Sequence, residues 1–108
     1  MKQTDLAELK SLLKQYRKAR TALRLAIRTK KPAEDLKQNR REILSQMKPG
    51  LITLWNESES LPAFFRIVVR SYYRGKSARD IADSFEVTEQ YIFKVIKQAE
   101  RKLVEHEQ

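Results

Sequence analysis

The sequence predicts an all-α protein, an N-terminal helical hairpin ahead of a smaller helical domain. Apolar residues recur at spacings of three and four over most of the chain, the period of an α-helix with one buried side. Thr4, Pro32, Pro62, Ser77 and Thr88 stand at the starts of these runs, where helix-opening residues belong. From Gly75 to Leu103 the chain then reads as a short capped helix, a three-residue interruption and a longer helix with a polar outer side. That is the sequence form of a helix-turn-helix.

The first helix is expected from Thr4 to about Thr29, about 26 residues or roughly 39 Å. Its seam is Leu9, Leu13, Tyr16, Leu23 and Ile27, interrupted by Arg20. Asp5 and Glu8 suit the positive end of its dipole. Lys31-Pro32 breaks it, and Pro32, Glu34 and Asp35 open a second helix with Leu36, Ile43 and Met47 inward and Arg40 on the same seam. Pro49-Gly50 is expected to stop this second arm near Lys48, at about 16 residues or roughly 24 Å. Unequal arms leave Leu6, Leu9 and Leu13 in need of another partner. Leu51, Ile52, Leu54 and Trp55 are the local candidates and a second protomer is the alternative. Asn56 to Ser60 is polar and reads as a hinge. The organisation is therefore a basic helical hairpin over 1–48, a connecting segment over 49–60 and a helix-turn-helix domain over 61–108.

In that domain Pro62 opens a helix lasting to about Tyr73. Phe64, Val68 and Tyr72 form one apolar stripe, and Phe65, Val69 and Tyr73 another, so the helix is expected to be buried on two sides. One side belongs under the helix-turn-helix and the other against the hairpin or a partner chain. Ser77 caps the next helix, with Asp80 three residues on as in a capping box, and Ile81 and Ala82 point inward. Phe85-Glu86-Val87 interrupts it. Thr88 caps the last helix, whose inward stripe is Ile92, Val95, Ala99 and Leu103 and whose outward stripe is Gln90, Lys94, Lys97 and Arg101. The tail from Val104 on is expected to fray.

Leu61-Pro62, the apolar helix ending Tyr72-Tyr73-Arg74-Gly75, then Ser77, Ile81-Ala82, Val87-Thr88, Ile92, Ala99 and Arg101-Lys102-Leu103 resemble region four of bacterial sigma factors. The likeness covers residues 61–103 and is closer to the small sigma-region-four-like regulators of phages, the late-gene activators of the ArpU and RinA type. Two features depart from that pattern. Glu86 stands where helix-turn-helix turns usually carry Gly, and Phe93 and Ile96 stand where the family often has polar residues. The resemblance implies a phage or mobile-element regulator of transcription that binds double-stranded DNA near a promoter and contacts RNA polymerase. The competing readings are a DNA-packaging subunit of the phage small-terminase kind and a helical adaptor that binds no DNA.

On the DNA reading the candidate contacts are Ser77, Arg79, Thr88, Glu89, Gln90, Tyr91, Lys94, Lys97, Gln98 and Arg101. Gln pairs bidentately with adenine, Lys reaches guanine acceptors and Glu accepts from cytosine. Phe93 and Ile96 either touch thymine methyls or pack on a neighbouring element, and packing is the expectation because large apolar groups seldom stay without a partner. Arg74, Lys76 and Arg79 flank the first motif helix, either as phosphate clamps, the expectation, or as a solvated loop. A basic stripe on the long first helix, Lys10, Lys14, Arg17, Arg24, Arg28 and Lys31, has three readings: DNA phosphates, an acidic protein surface, or a solvated face.

Charge separates the two parts of the chain. The net charge is +9, and residues 1–48 hold all of it with 14 Lys or Arg against 5 Asp or Glu, while residues 49–108 hold 9 of each. The hairpin therefore needs something negative to meet, or carries a strongly solvated surface. There is no cysteine, so disulfides and thiolate metal sites are excluded, and the single histidine, His106, sits in the polar tail. No Gly-rich loop or carboxylate pair supports an enzyme, and no metal, cofactor or small-molecule substrate is implied. The N-terminus lacks the apolar run of a secretory signal, and the longest apolar stretches are too short to span a bilayer. A cytoplasmic protein, with a homodimer as a possible assembly, is the expectation.

Overall fold

The computed structural model describes residues 1–104, which form five α-helices and no strand. They are α1 (Gln3–Arg28), α2 (Glu34–Glu57), α3 (Ala63–Tyr73), α4 (Ala78–Phe85) and α5 (Glu89–Val104), with a single 3₁₀ turn at Ser58–Ser60. Of the tail expected to fray, Val104 ends α5, and residues 105–108, His106 included, lie outside the described residues. No helix among the described residues is long and apolar enough to cross a membrane.

The second arm of the hairpin is longer than its sequence predicts. Pro49 and Gly50 do not stop it, and α2 continues through both to Glu57, across the expected boundary at Lys48. An interior proline costs about 3 kcal/mol through its missing N–H and its clash with the preceding turn. Packing on α1 on both sides of the break offsets that cost. Met47 precedes it and Leu54 follows it, and both are buried in the core shared with α1. Gly50 has a packing role: a Cβ there would lie 3.2 Å from Leu9 Cδ1, so glycine lets the two helices approach closely. The Pro49 carbonyl accepts from the Thr53 hydroxyl at 3.1 Å.

The arms are consequently near equal, 26 and 24 residues. Leu6, Leu9 and Leu13 find local partners, as Leu54 and Leu51 join their core, whereas Ile52 and Trp55 stay exposed at 52% and 44%. At the other end of α1 the seam shifts. Ala26 is buried and Ile27 is 58% exposed, because three residues beyond Leu23, not four, faces α2 there.

Asn56 to Ser60 is not a hinge in this fold. Asn56 and Glu57 finish α2, and Ser58 is fully buried in the 3₁₀ turn. Arg70 of α3 locks the junction, donating to Ser58 Oγ at 2.8 Å, to the Trp55 carbonyl at 2.7 Å and to the Glu59 carboxylate at 2.9 Å. Those contacts to Arg70 hold the exposed Glu59 carboxyl below the usual glutamate range.

α3 is the middle of the molecule, buried on both expected sides. Val69 and Tyr73 belong to the hairpin core, Val68 to the core under α4 and α5, and Phe65 and Tyr72 border both. The radius of gyration of the whole molecule is 15.2 Å, against roughly 13 Å for a round domain of this length. The hairpin arms are longer than the helices they pack on, which accounts for the excess.

Glu86 occupies the left-handed region (φ 56°, ψ 43°) at the end of α4. Glu86→Gly is therefore expected to stabilise the fold by roughly 0.5–1 kcal/mol, since a side chain is penalised there and glycine is not. Urea unfolding with an unchanged slope checks it.

Candidate nucleic-acid interface

The α4–turn–α5 pair is built by local chemistry that also sets its outward side. Ser77 Oγ accepts from the Asp80 backbone N–H at 3.0 Å and opens α4. After Glu86 turns the chain, the Val87 N–H donates to the Ala82 carbonyl at 3.0 Å. Thr88 Oγ1 then accepts from the Tyr91 N–H at 3.1 Å and opens α5. Ile92, Val95, Ala99 and Leu103 are all buried, as is Ile96, which joins the core beneath α4.

With that side inward, Glu89, Gln90, Lys94, Lys97 and Arg101 are exposed, Gln98 is half-buried, and Arg79 is exposed on α4. Ser77 and Thr88 act first as helix caps. Tyr91 is exposed at its edge, but its ring stacks on Phe64 with centroids 6.1 Å apart, and Phe64 meets Phe85 edge-on at 5.2 Å. The aromatic trio fixes where the start of α5 stands relative to α3.

The tertiary structure brings α1 beside α5. Two grooves adjoin, sharing Lys10 and Tyr72. One, about 490 Å³, runs along α5 past Phe93, Lys94, Ile96 and Lys97. The other, about 380 Å³, runs along α1 past Lys14, Arg17 and Lys18. Lys10, Lys14, Lys18, Lys94 and Lys97 are all exposed and line these adjoining grooves, which together form a trough that also includes aromatic and aliphatic side chains. Lys18 was missed in the sequence. Its spacing of four from Lys14 and eight from Lys10 was the available signal.

At the base of the trough lies a polar link that runs from exposed Lys10 to buried Glu100 and Tyr73. Lys10 Nζ is 3.3 Å from Glu100, which is only 8% exposed, and the Tyr73 hydroxyl donates to the same carboxylate. Burial, reinforced by that hydrogen bond and the nearby negative charge, pushes the Tyr73 phenol far above its ordinary range, so it remains a neutral donor. Lys10, Glu100 and Tyr73 thus tie α1, α5 and α3 together.

Several predicted phosphate contacts are placed differently from the simple stripe. Lys10 is paired with Glu100. Arg17 is half-buried: it lies over the Tyr72 ring at 4.5 Å and donates to the Lys76 carbonyl at 2.9 Å. Both serve the α1 docking contact, a role invisible while the helix is read alone. Arg74 is exposed, with its guanidinium 5.7 Å from the Trp55 ring, and Lys76 is exposed in the α3–α4 turn, just before the Ser77 cap. Arg24 and Arg28 are exposed but stand roughly 15 and 21 Å farther along α1 than Lys14, and neither lines the trough. Lys31 lies beyond them, past the end of α1. Phe93 did not pack away as Ile96 did; it is 48% exposed at the trough edge.

Among the described residues no group of three His, Asp or Glu side chains is arranged to hold a metal ion. Comparison of the chain with family models, curated proteins and solved structures finds no match. Its surface is therefore read from geometry and charge.

Proposed function

We propose that this protein binds double-stranded DNA with α5 in the major groove and the lysines of α1 on the adjoining phosphate backbone. The observation that carries the reading is the pair of adjoining grooves: Lys94 and Lys97 line the one along α5, Lys14 and Lys18 the one along α1, and Lys10 and Tyr72 line both. A helix of about 10–12 Å diameter with exposed Gln and Lys fits the major groove, and a second row of lysines beside it suits the negative strand that borders that groove. The likeness of residues 61–103 to sigma region four supports the same use of α5. It extends the reading to a phage or mobile-element transcription activator that contacts RNA polymerase in the bacterial cytoplasm.

A selection from random duplexes tests DNA binding, with molecular mass measured alongside. A recovered consensus and a monomer or dimer support regulation; a large ring with no consensus favours a packaging subunit. No binding at low salt leaves α4–α5 as a packing unit only.

The α1 half of the interface has its own test. Lys14→Ala with Lys18→Ala is expected to flatten the dependence of log affinity on log salt by about 1.8, as two fewer phosphates are neutralised. An unchanged slope in an anisotropy titration places those lysines away from phosphate. Substitution is the right tool because residues 1–48 supply core side chains such as Leu9, Leu13 and Met47.

A further inference from the structure

A separate groove, about 310 Å³, lies between α2 and α3, walled by Ile52 and Trp55 and rimmed by Lys48, Arg70 and Arg74. It stands on the far side of α3 from α4 and α5. Arg70 and Arg74 follow Val68 and Tyr72 by two residues, roughly 200° around the helix, and Val68 is buried under α4 and α5.

Ile52 is 52% exposed and Trp55 44%, an unusual pair of large apolar groups to leave in water side by side on one helix face. Arg70 backs the indole at 4.0 Å and is held there by Ser58, Glu59 and the Trp55 carbonyl, so the ring is fixed in place before any ligand arrives. No acidic side chain lines the groove. The nearest acids along the chain are engaged elsewhere: Glu57 lies 3.2 Å from the N-terminal amine, and Glu59 meets Arg70 and Arg66 at 2.9 and 3.5 Å.

We infer that this groove docks a segment of another protein, an amphipathic helix with a large apolar anchor and flanking carboxylates. The anchor covers Ile52 and Trp55, and the carboxylates meet Lys48 and Arg74. A nucleic-acid backbone has the charge but offers nothing to cover the apolar wall. A second copy of this chain would bring another +9 toward a basic rim, and like charges placed together oppose association. Tryptophan and arginine at the centre of a contact are the residue types that dominate binding energy. The inference is independent of the DNA reading, because the probe contains no nucleic acid.

The test is a selection of random 16-residue peptides lacking tryptophan, displayed against the immobilised full-length protein. Enriched peptides are expected to carry Leu or Phe at helical spacing among Asp and Glu. Trp55 is the only tryptophan of the chain, so binding of a synthesised winner should shift its emission to the blue and saturate. Ile52→Glu and Arg74→Glu, each checked for native helicity, should weaken that peptide by about tenfold or more, while Lys97→Ala should not. Three results overturn the inference: no enrichment, winners without acidic residues, or affinity indifferent to Ile52→Glu. So does a concentration-dependent dimer abolished by Ile52→Glu, which would make a second copy the occupant, or displacement of the peptide by short duplex DNA from wild type and Lys97→Ala alike.

Discussion

Lys94→Ala combined with Lys97→Ala is expected to lower affinity for a selected duplex by at least about thirtyfold, on the basis of roughly 1–3 kcal/mol for each base-directed side chain. Affinity for unrelated duplex should fall only as far as two lost charges require. Both lysines are exposed on the outward side of α5, with Val95, Ile96 and Ala99 holding the helix from behind. The substitutions therefore leave the core intact, and thermal stability should be unchanged within about 0.5 kcal/mol. Parallel titrations on selected and random duplexes decide it. Equal losses on both would reduce Lys94 and Lys97 to contributors of charge and move any sequence reading elsewhere.

The second large effect concerns the contact between the hairpin and the turn before α4. Gly75 is buried with φ at +108°, and a Cβ there would lie 3.0 Å from Tyr16 Cε1 and 3.2 Å from Arg20 Nη1. Gly75→Val adds a branched side chain to a backbone conformation that disfavours one, in a space already filled by α1. Strain and overpacking together should cost roughly 2–5 kcal/mol, lowering Tm by about 10 °C or more. Thermal unfolding followed by circular dichroism measures it. A variant that keeps the parent Tm would show that α1 does not press on this turn. A folded variant should also show a reduced salt slope for DNA, because α1 carries Lys14 and Lys18 into the trough.

Much of the fold was legible because its signals are local. Ser77 and Thr88 bond to N–H groups three residues away, so their capping roles follow from a few neighbouring side chains. The inward stripe of α5 and the two stripes of α3 follow from the period of the helix, and burial agrees at Ile92, Val95, Ala99, Leu103, Val68, Val69 and Tyr73. Glu86 was conspicuous for the same reason: a chain reversing direction within three residues needs a left-handed residue, whatever its side chain.

What could not be read locally was set by distant partners. Pro49-Gly50 carries the strongest stop signal in the hairpin, yet α2 passes through it because Leu9, some forty residues earlier, fits against Gly50. Lys10 and Arg17 look like members of an outward basic row until Glu100 and the Lys76 carbonyl arrive beside them. Asn56 to Ser60 looks like a flexible link until Arg70 reaches across from α3.

The chain's order of residues thus specifies which helices form, where they are capped and which side of α5 faces out, since these depend on energies acting within one or two turns. The meeting of α1 with α5, and with it the trough of exposed lysines, is settled by packing on α3. Charge along a strand of sequence says how much positive potential exists; only the docking of one helix on another says where it is concentrated.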